Sequence, residues 1–408
     1  TNEEKKEMCV GEVTVREGEY ISLDGTRGLV FLGQISKGNT ASNDGLLEKF
    51  LNLAGKYQKI QVRANADTPV DALKALEYGA VGIGLCRTEH MFLGVDRLPI
   101  MQDLLLSESE EERKEPLKKL QKFQKDDFKA ILAIMNGLPV NIRLLDPPLH
   151  EFLPEISELR TKVRQLKEKK VEIKKIRKIE KLLERAIQLQ ESNPMLGHRG
   201  CRLGITYPDI TCMQVKALFS AACELKSEGK SPIIEVMIPL VSLVEEFRHQ
   251  AKLVRGVARA VFEDCGIEVP FEVGSMIELP RFVLIADQVA IDSDFFSFGT
   301  NDLTQATFGF SRDDTNRFLP YYLENEILKS DPFQTLDLDG VGVLVSTAIK
   351  KGRDSRNDLK VGICGEHGGD PSSIEFFHKL NMDYVSCSPY RVPIARLAGS
   401  QSVIKEGR

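Results

Sequence analysis

Residues 233 to 278 read IIEVMIPLVSLVEEFRHQAKLVRGVARAVFEDCGIEVPFEVGSMIE, in which two short apolar runs flank a longer helical pattern. This stretch opens on the apolar run Ile233 to Ile238, continues with helical spacing from Val241 to Asp264, and closes on the run Glu272 to Ile277. Short β-branched runs separated by longer helical stretches are typical of parallel strands joined by crossover helices. The segment therefore predicts one strand, helix and strand unit of an α/β fold.

The same alternation recurs along the chain from about residue 43. Helical stretches stand between the apolar runs, among them Pro69 to Tyr78, Pro208 to Ser227 and Leu338 to Lys351. An open doubly wound sheet is the competing architecture, but no GxGxxG turn follows the first run. Eight parallel strands with intervening helices favour an α/β fold of the (β/α)8 TIM-barrel type. The eight runs are Ile60 to Ala64, Val81 to Arg87, Val140 to Leu145, Ile233 to Ile238, Glu272 to Ile277, Phe295 to Gly299, Lys360 to Cys364 and Tyr384 to Cys387.

The N-terminal residues follow a different pattern. Short apolar runs alternate there with turn residues, and Asp24-Gly25 favours a hairpin that joins Tyr20 to Ser22 with Leu29 to Phe31. This pattern predicts a small β unit ahead of the barrel. The expected divisions are residues 1–35 for the β unit, 36–58 for a linker and helix, and 59–408 for the barrel.

Residues 155 to 191 interrupt the barrel pattern between the third and fourth runs. Apolar residues recur there at helical spacing among many lysines, as in Ile173-Lys174-Lys175-Ile176. The segment therefore predicts a helical insertion of one or two amphipathic helices whose charged faces meet water.

The composition is that of a globular chain with a mildly acidic balance. The 408 residues are 42% hydrophobic and carry a formal net charge of -5, which argues against nucleic acid or an anionic membrane as a partner. Eight cysteines without a CxxC pair favour free thiols in a reducing intracellular compartment, the cytoplasm or an organelle such as a plastid. No run of eighteen apolar residues occurs, so we expect no membrane span. Because the chain begins on Thr1 instead of Met, we expect a fragment or a processed product.

Two carboxylates stand where predicted strands end. Glu278 follows the run Glu272 to Ile277, and Asp302 comes shortly after the run Phe295 to Gly299. The carboxyl ends of barrel strands meet on one face, so the two acids could share a cation. Two carboxylates with open positions suit Mg2+, which takes its other ligands from water and substrate oxygens. The alternative is a pair of ion-paired acids at the barrel rim.

Two arginines also stand at the ends of β runs. Arg87 and Arg143 follow apolar residues of the second and third runs, and guanidinium groups bind phosphate or carboxylate through paired hydrogen bonds. Structural salt bridges to Glu89 or Asp146 are the alternative for each arginine. Several arginines and two acids on one rim fit a doubly anionic substrate that is bound through a metal ion.

Cys364 ends the seventh run within Gly362-Ile363-Cys364-Gly365, where the glycines let a ligand approach the backbone closely. A lone cysteine is more often a buried hydrophobic residue than a catalytic group. His90 and His367 are expected to be hydrogen-bonded rim residues and not phosphate carriers.

Six motifs follow one another in the chain: GLCRTEHMF at 84–92, RLLDPPLHEFLP at 143–154, NPMLGHRGCRLG at 193–204, GSMIELPR at 274–281, SFGTNDLTQ at 297–305 and VGICGEHGGD at 361–370. Taken together and in this order, they resemble the phosphoenolpyruvate-utilising enzymes, and among these most closely the pyruvate phosphate dikinases. The likeness covers nearly the whole chain apart from the lysine-rich insertion. Phosphoenolpyruvate synthases and enzyme I of the sugar phosphotransferase system share the shorter motifs and are the alternatives within the family.

The resemblance implies a role for each candidate residue. Glu278 and Asp302 would hold Mg2+, and Arg87 and Arg143 would clamp the phosphoryl group in transfer. Cys364 matches the acid/base position. The remaining matches are Thr300 and Asn301 as substrate contacts, and Arg63, Arg199 and Arg312 as supporting anion contacts.

The resemblance also implies a (β/α)8 barrel that handles phosphoenolpyruvate and pyruvate. The family passes phosphate through a histidine in a Gly-Gly-x-Thr-Ser-His type motif, and none of the six histidines here stands in one. Residues 1–35 resemble the tail of the swivelling domain that carries this histidine, so the phosphohistidine is expected outside this sequence. The family further implies a homodimer formed through the barrel.

Two functions of other classes remain open. A metal-dependent aldolase or lyase could use the same pocket on the enolate of pyruvate, and cleavage of a keto acid without phosphate would favour it. A non-enzymatic dimerisation and docking module would lack Mg2+-dependent binding of pyruvate.

Overall fold

The computed structural model describes residues 5–24, 29–35, 44–168 and 173–407. The chain separates into two compact units, residues 1–53 and residues 54–408. The first unit contains two antiparallel hairpins, β1 (Glu7–Val10) with β2 (Val13–Arg16) and β3 (Ile21–Asp24) with β4 (Leu29–Leu32), and most of helix α1 (Asp44–Gly55). The second hairpin pairs the two runs that the sequence predicts. The predicted Asp-Gly turn falls partly, and the predicted linker up to residue 43 falls wholly, outside the described residues.

The second unit is a closed barrel of eight parallel strands, which confirms the predicted fold class. Each predicted run overlaps one strand, and the runs for β8 and β12 match from end to end. Strands pair in the order β10-β11-β12-β5-β6-β7-β8-β9, so β5 closes on β12. The strands are β5 (Gln61–Asn65), β6 (Ile83–Arg87), β7 (Pro139–Arg143), β8 (Ile233–Ile238), β9 (Phe271–Ile277), β10 (Phe295–Phe298), β11 (Lys360–Ile363) and β12 (Tyr384–Cys387).

Helices surround the barrel and bury their apolar faces against the strands. Phe219 shows the packing: its ring centroid lies 5.4 Å from that of Phe262 and 4.7 Å from that of Phe271. Edge-to-face aromatic contacts of this kind add to the burial of apolar area. The helices are α2 (Pro69–Glu77), α3 (Leu98–Leu106), α4 (Glu110–Ile134), α5 (Ile156–Glu168), α6 (Ile173–Leu189), α7 (Gly200–Thr206), α8 (Pro208–Ser227), α9 (Val244–Cys265), α10 (Pro280–Leu284), α11 (Ala286–Ala290), α12 (Thr300–Phe308), α13 (Leu319–Glu324), α14 (Val341–Ser355), α15 (Pro371–Lys379) and α16 (Val392–Glu406).

Helix α9 begins at Val244, three residues later than its sequence pattern predicts. The carboxylate of Glu246 accepts hydrogen bonds from the backbone N–H groups of Ser242 and Leu243, at 2.7 and 2.9 Å. Glu246 thereby satisfies backbone donors that have no partner within the first helical turn. Gly266 ends the helix in a left-handed conformation with φ of 67°, which glycine adopts without steric cost. Local capping therefore sets both ends.

The lysine-rich insertion forms two helices, α5 and α6, within residues 155–191. Leu159, Leu182 and Ala186 are buried together and form a small apolar cluster of their own. Lysines lie on the outer surface, where Lys178 pairs with Asp103 at 2.9 Å. Within the described residues, no helix combines the length and the apolar character that a membrane crossing requires.

Candidate active site

A cleft of about 290 Å3 opens at the carboxyl ends of the barrel strands. Eight of the ten residues that the sequence proposes for the site line this cleft, and the other two, Arg63 and Thr300, do not. Loops after different strands bring the side chains together, as expected for a barrel of this type. The lining residues are Leu85, Arg87, Glu89, Arg143, Asp146, Pro147, Glu151, Met195, Arg199, Met276, Glu278, Gly299, Asn301, Asp302, Arg312, Cys364 and Gly365.

The two predicted metal ligands lie on neighbouring elements. Glu278 follows β9 and is buried, and its Oε1 accepts a hydrogen bond of 2.6 Å from the backbone N–H of Leu240. Asp302 lies in the first turn of α12. Gly299 lets that helix start close to β9, because a Cβ there would lie 2.8 Å from the sulfur of Met276. Strand end and helix start thus present two carboxylates to one cleft.

Burial raises the pKa of Glu278 well above its ordinary value, and the nearby charges of Asp146 and Asp302 add to this effect. A carboxylate in such surroundings is electrostatically unfavourable until a positive charge approaches it. Oxygen donors suit a hard divalent cation. Among the described residues no group of three or more His, Cys, Asp or Glu forms a complete metal cage. The residues therefore fit a cation that takes part of its coordination from a ligand and from water.

Arg143, the last residue of β7, is held between two acids. Its guanidinium lies 2.9 Å from the carboxylate of Asp146 and also donates to Glu89. Burial alone would lower the pKa of Arg143, but Asp146 and Glu89 outweigh it and raise the pKa. The salt-bridge alternative therefore describes the contacts of Arg143 correctly. The same side chain still lines the cleft, and its Nε has no hydrogen-bond partner in the described structure.

Arg199 connects the ion pair of Arg143 and Asp146 to the proposed metal ligand Asp302. It precedes α7 and donates to the carboxylate of Asp146 and, at 3.2 Å, to that of Asp302. Gly200 has a φ of +57°, and a Cβ there would lie 2.6 Å from that of Leu240. Glycine is therefore required next to Arg199 for the loop to pass so close to the end of β8.

Arg87, the last residue of β6, contacts Asp67 and not Glu89. The carboxylate of Asp67 accepts from the backbone N–H of Arg87 at 2.6 Å and from its guanidinium at 3.4 Å. His90 Nδ1 lies 2.8 Å from the same carboxylate, so this rim histidine is hydrogen-bonded as expected. The hydrogen bond that the His90 imidazole donates to the carboxylate of Asp67 raises the pKa of His90, although burial opposes it. About 30% of the Arg87 side chain remains exposed, which leaves it accessible to a ligand.

Cys364 directly follows β11 and is buried at the carboxyl-end side of the barrel. Its sulfur lies 3.6 Å from the carbonyl oxygen of Phe298, and burial raises the pKa of its thiol to about 11. The thiol is therefore protonated at neutral pH. Gly365 is needed next to it, because a Cβ at this position would lie 2.1 Å from Oγ1 of Thr300.

Asn301 and Arg312 contact the loop after β11. The side-chain oxygen of Asn301 accepts from the backbone N–H of Glu366 at 3.1 Å. The guanidinium of Arg312 lies 3.8 Å from the carboxylate of Glu366, and about half of each side chain is exposed. Asn301 and Arg312 thus lie at the open rim of the cleft.

Thr300 lies beneath the cleft, where its hydroxyl contacts Nδ1 of His367 at 2.7 Å. Nε2 of His367 lies 2.9 Å from the carbonyl oxygen of Pro332 and must donate to it. Burial lowers the pKa of His367, so the imidazole is neutral at neutral pH and Nδ1 accepts from Thr300. Thr300 holds the start of α12 in place and does not face the cleft.

Arg63 points into the barrel interior, away from the cleft. Its guanidinium lies 2.8 Å from the carboxylate of Glu235 and 3.9 Å from the ring centroid of Tyr384. Lys360 reaches the other oxygen of Glu235 at 2.7 Å, and Asn141 donates to the carboxylate at 3.2 Å. Arg63 is therefore part of a buried ionic layer inside the barrel.

Four further residues at or beside the cleft are not singled out by the sequence patterns: Asp67, Glu151, Met195 and Met276. The position of Asp67 does carry a signal, because Asp67 follows β5, the first barrel strand, just as the arginines lie at the ends of their strands. Glu151 lies in a short 3₁₀ turn after β7, where burial raises its pKa. Met195 lies in a short 3₁₀ turn, so no helical or strand periodicity in the sequence predicts that it lines the cleft.

Comparison with known proteins identifies the family. The model of the PEP-utilising enzyme, PEP-binding domain, matches residues 42–403. Pyruvate, phosphate dikinase 1 of Arabidopsis thaliana, described as chloroplastic, is 51% identical over 403 residues, which are 99% of this chain and 41% of that protein. Pyruvate, phosphate dikinase of Clostridium symbiosum is 49% identical over 409 residues, 99% of this chain and 45% of that protein.

Pyruvate, phosphate dikinase 2 of Oryza sativa subsp. japonica is 49% identical over 404 residues, which are 99% of this chain and 45% of that protein. The chain thus spans less than half the length of these relatives. Both the family match and the identity extend over the whole barrel and its cleft. The chain belongs to the PEP-utilising enzymes and contains the PEP-binding domain of that family.

Proposed function

We propose that the cleft carries the phosphoenolpyruvate half-reaction of a pyruvate phosphate dikinase. In this reaction a phosphoryl group moves between phosphoenolpyruvate and a histidine outside this sequence, through the enolate of pyruvate. The observation that supports the proposal most strongly is that one cleft brings together Glu278, Asp302, Arg87, Arg143 and Cys364. These groups are an acid pair for a cation, guanidinium groups for an anion, and a protonated thiol.

Glu278 and Asp302 would hold Mg2+ in the cleft. The bound ion would supply positive charge next to the enolate oxygen that develops when the phosphoryl group leaves. The raised pKa of Glu278 supports this role, because the ion would offset the unfavourable charge of the buried carboxylate.

Arg87 and Arg143 would hold the phosphoryl group during transfer. The bond from phosphorus to the enol oxygen breaks while a bond from phosphorus to the histidine nitrogen forms, and negative charge spreads over the phosphoryl oxygens. Glu89 and Asp146 fix the guanidinium of Arg143 beforehand, so little reorganisation is needed during the reaction. The salt bridges of Arg143 and its role at the substrate are therefore compatible.

Cys364 would donate a proton to the methylene carbon of the enolate. The S–H bond breaks, a C–H bond forms, and the enolate becomes pyruvate. Because burial raises the pKa of Cys364 to about 11, the thiol carries its proton at neutral pH. The guanidinium charges of Arg143 and Arg87 favour the thiolate that remains, since they act to lower the same pKa.

The wider assembly follows from the same proposal. None of the six histidines stands in a Gly-Gly-x-Thr-Ser-His motif, so the phosphohistidine belongs to a part of the protein outside these residues. Residues 1–35 would be the tail of the domain that carries it, 36–58 a linker and helix, and 59–408 the substrate barrel. The barrel would form a homodimer, in the cytoplasm or in a plastid.

Titration with oxalate, a mimic of the planar enolate, tests the proposal. The chain should bind oxalate only when Mg2+ is present, and Glu278→Gln and Asp302→Asn should each weaken this binding at least tenfold, or about 1.4 kcal/mol. Asp292→Asn is the control, because Asp292 pairs with Arg248 outside the cleft. Equal oxalate affinity in parent and cleft variants would contradict the assignment.

A further inference from the structure

Cys223 and Cys265 lie next to each other on the outside of the barrel. Cys223 is near the end of α8, and Cys265 is the last residue of α9. Their sulfur atoms contact the same carbonyl oxygen, that of Ile267, at 3.6 and 3.5 Å. The nearby thiol of Cys265 also acts to raise the pKa of Cys223. The shared contact brings together two cysteines that are 42 positions apart in the chain.

The two thiols differ in access to solvent. Cys265 is exposed, whereas Cys223 is buried, and burial raises the pKa of Cys223 to about 12. An incoming reagent therefore meets Cys265 first. Cys9 is the other exposed cysteine, and its sulfur faces the hydroxyl of Thr14 at 3.4 Å.

An open cleft leads to the pair. Cys223 and Cys265 both line it, and its volume is about 620 Å3. The wall carries the amine of Lys216, the carboxylate of Asp264 and the ion pair of Lys125 with Glu224. Mixed charges of this kind suit a small zwitterionic peptide such as glutathione, whose carboxylates and amine can each find a partner.

We propose that Cys223 and Cys265 are a dithiol site that exchanges with a small peptide disulfide of the oxidised-glutathione class. The thiolate of Cys265 attacks one sulfur of the reagent, whose S–S bond breaks and releases one glutathione thiolate. The thiolate of Cys223 then attacks the Cys265 sulfur of the mixed disulfide and releases the second glutathione. Two protein thiols are oxidised to one disulfide, the reagent is reduced to two thiols, and the two protein protons pass to the released thiolates.

The new bond would tie α8 to α9 at the end of the barrel opposite the catalytic cleft. Both cysteines precede the amino ends of strands, β8 after α8 and β9 after α9, whereas the catalytic residues follow the carboxyl ends. Closing a loop of about 40 residues restricts the unfolded chain. The bond is therefore expected to raise the resistance to unfolding and to leave oxalate binding unchanged.

Intact-mass analysis of the chain in a Cys9→Ser background tests the site. Treatment with oxidised glutathione should end in a loss of about 2 Da, with no attached glutathione, and a cross-linked peptide that contains Cys223 and Cys265. Cys223→Ser should instead stop with one glutathione on Cys265, and Cys265→Ser should react at neither position. Cys212→Ser is the matched control on α8 and should behave like the parent.

Three outcomes would overturn the proposal. The parent could retain a glutathione on Cys265 without closing the bond, Cys265 could cross-link to a different cysteine, or Cys223→Ser could give the same product as the parent. Each is read from the same spectra and peptide maps, and none depends on the reaction proposed for the catalytic cleft.

Discussion

The guanidinium of Arg199 lies 3.2 Å from the carboxylate of Asp302, a proposed Mg2+ ligand. Arg199 also donates to Asp146, which in turn pairs with Arg143. One chain of ion pairs therefore connects the residues proposed to hold the metal with those proposed to hold the phosphoryl group. If Mg2+ binds as proposed, Asp302 would share its charge between the ion and Arg199.

Arg199→Gln should separate metal binding from anion binding. The positive charge next to Asp302 is lost, so Mg2+ alone should bind more tightly, by up to about tenfold. Oxalate should bind more weakly in the presence of saturating Mg2+, because an anion contact is lost. Calorimetric titrations measure both affinities. Arg259→Gln, an exposed change on α9, is the control, and unchanged Mg2+ affinity in Arg199→Gln would contradict this account.

Glu278→Gln should stabilise the metal-free protein. Folding raises the pKa of Glu278, so the group costs stability in full above the raised folded pKa; this cost shrinks as the pH falls below the folded pKa and is gone below the pKa of the unfolded chain. In EDTA at neutral pH the variant should gain on the order of 1 kcal/mol in free energy of unfolding, and the gain should shrink in mild acid.

Glu235→Gln is the matched control with the opposite sign. Arg63 and Lys360 outweigh burial and lower the pKa of Glu235, so this variant should lose about 3 kcal/mol or more at neutral pH. Urea unfolding in EDTA measures both variants. A Glu278→Gln protein that is less stable than the parent would show that its carboxylate is satisfied without a cation.

The barrel could be predicted from the sequence because its strands are buried on both faces and therefore read as continuous apolar runs. The candidate site was predictable to the extent that its residues end those runs, as Arg87 and Cys364 do, or directly follow them, as Glu278 does. The direction of a side chain was not predictable for Arg63, which belongs to a strand that alternates between interior and exterior. The sequence also does not predict which acid pairs with which arginine: Asp67 pairs with Arg87, and Glu89 pairs with Arg143.

Asp67→Asn should lower the pKa of His90 and loosen Arg87. The hydrogen bond and the charge of Asp67 both favour the protonated imidazole, so removal of the charge should shift the His90 titration to lower pH. NMR of the imidazole signals measures the shift directly. The affinity for phosphoenolpyruvate with Mg2+ should fall severalfold, because the guanidinium of Arg87 loses its fixed partner. Glu77→Gln, an exposed change on α2, should leave both quantities unchanged.

Arg87→Lys and Arg143→Lys should differ in their effect on stability. Both replacements keep the charge but lose the planar fork, so both should weaken binding of phosphoenolpyruvate. Arg87 is partly exposed and its loss should change the free energy of unfolding by less than about 1 kcal/mol, whereas Arg143→Lys leaves Glu89 or Asp146 poorly paired and should cost about 3 kcal/mol. Urea unfolding and titration separate the two effects. Equal stability losses would contradict the contacts described for the two residues.

Exchange of the methyl protons of pyruvate for deuterium tests the central claim most directly, because enolisation in the cleft requires neither nucleotide nor the external histidine. The chain is incubated with pyruvate, Mg2+ and phosphate in heavy water, and incorporation is followed by NMR. The parent and Cys387→Ser, a change of another buried thiol, should exchange deuterium. Cys364→Ser should lose at least about a hundredfold in rate while it keeps Mg2+-dependent oxalate binding, because a hydroxyl is a far weaker acid than a thiol. Absence of exchange in the parent, or exchange by Cys364→Ser at the parental rate, would contradict the account.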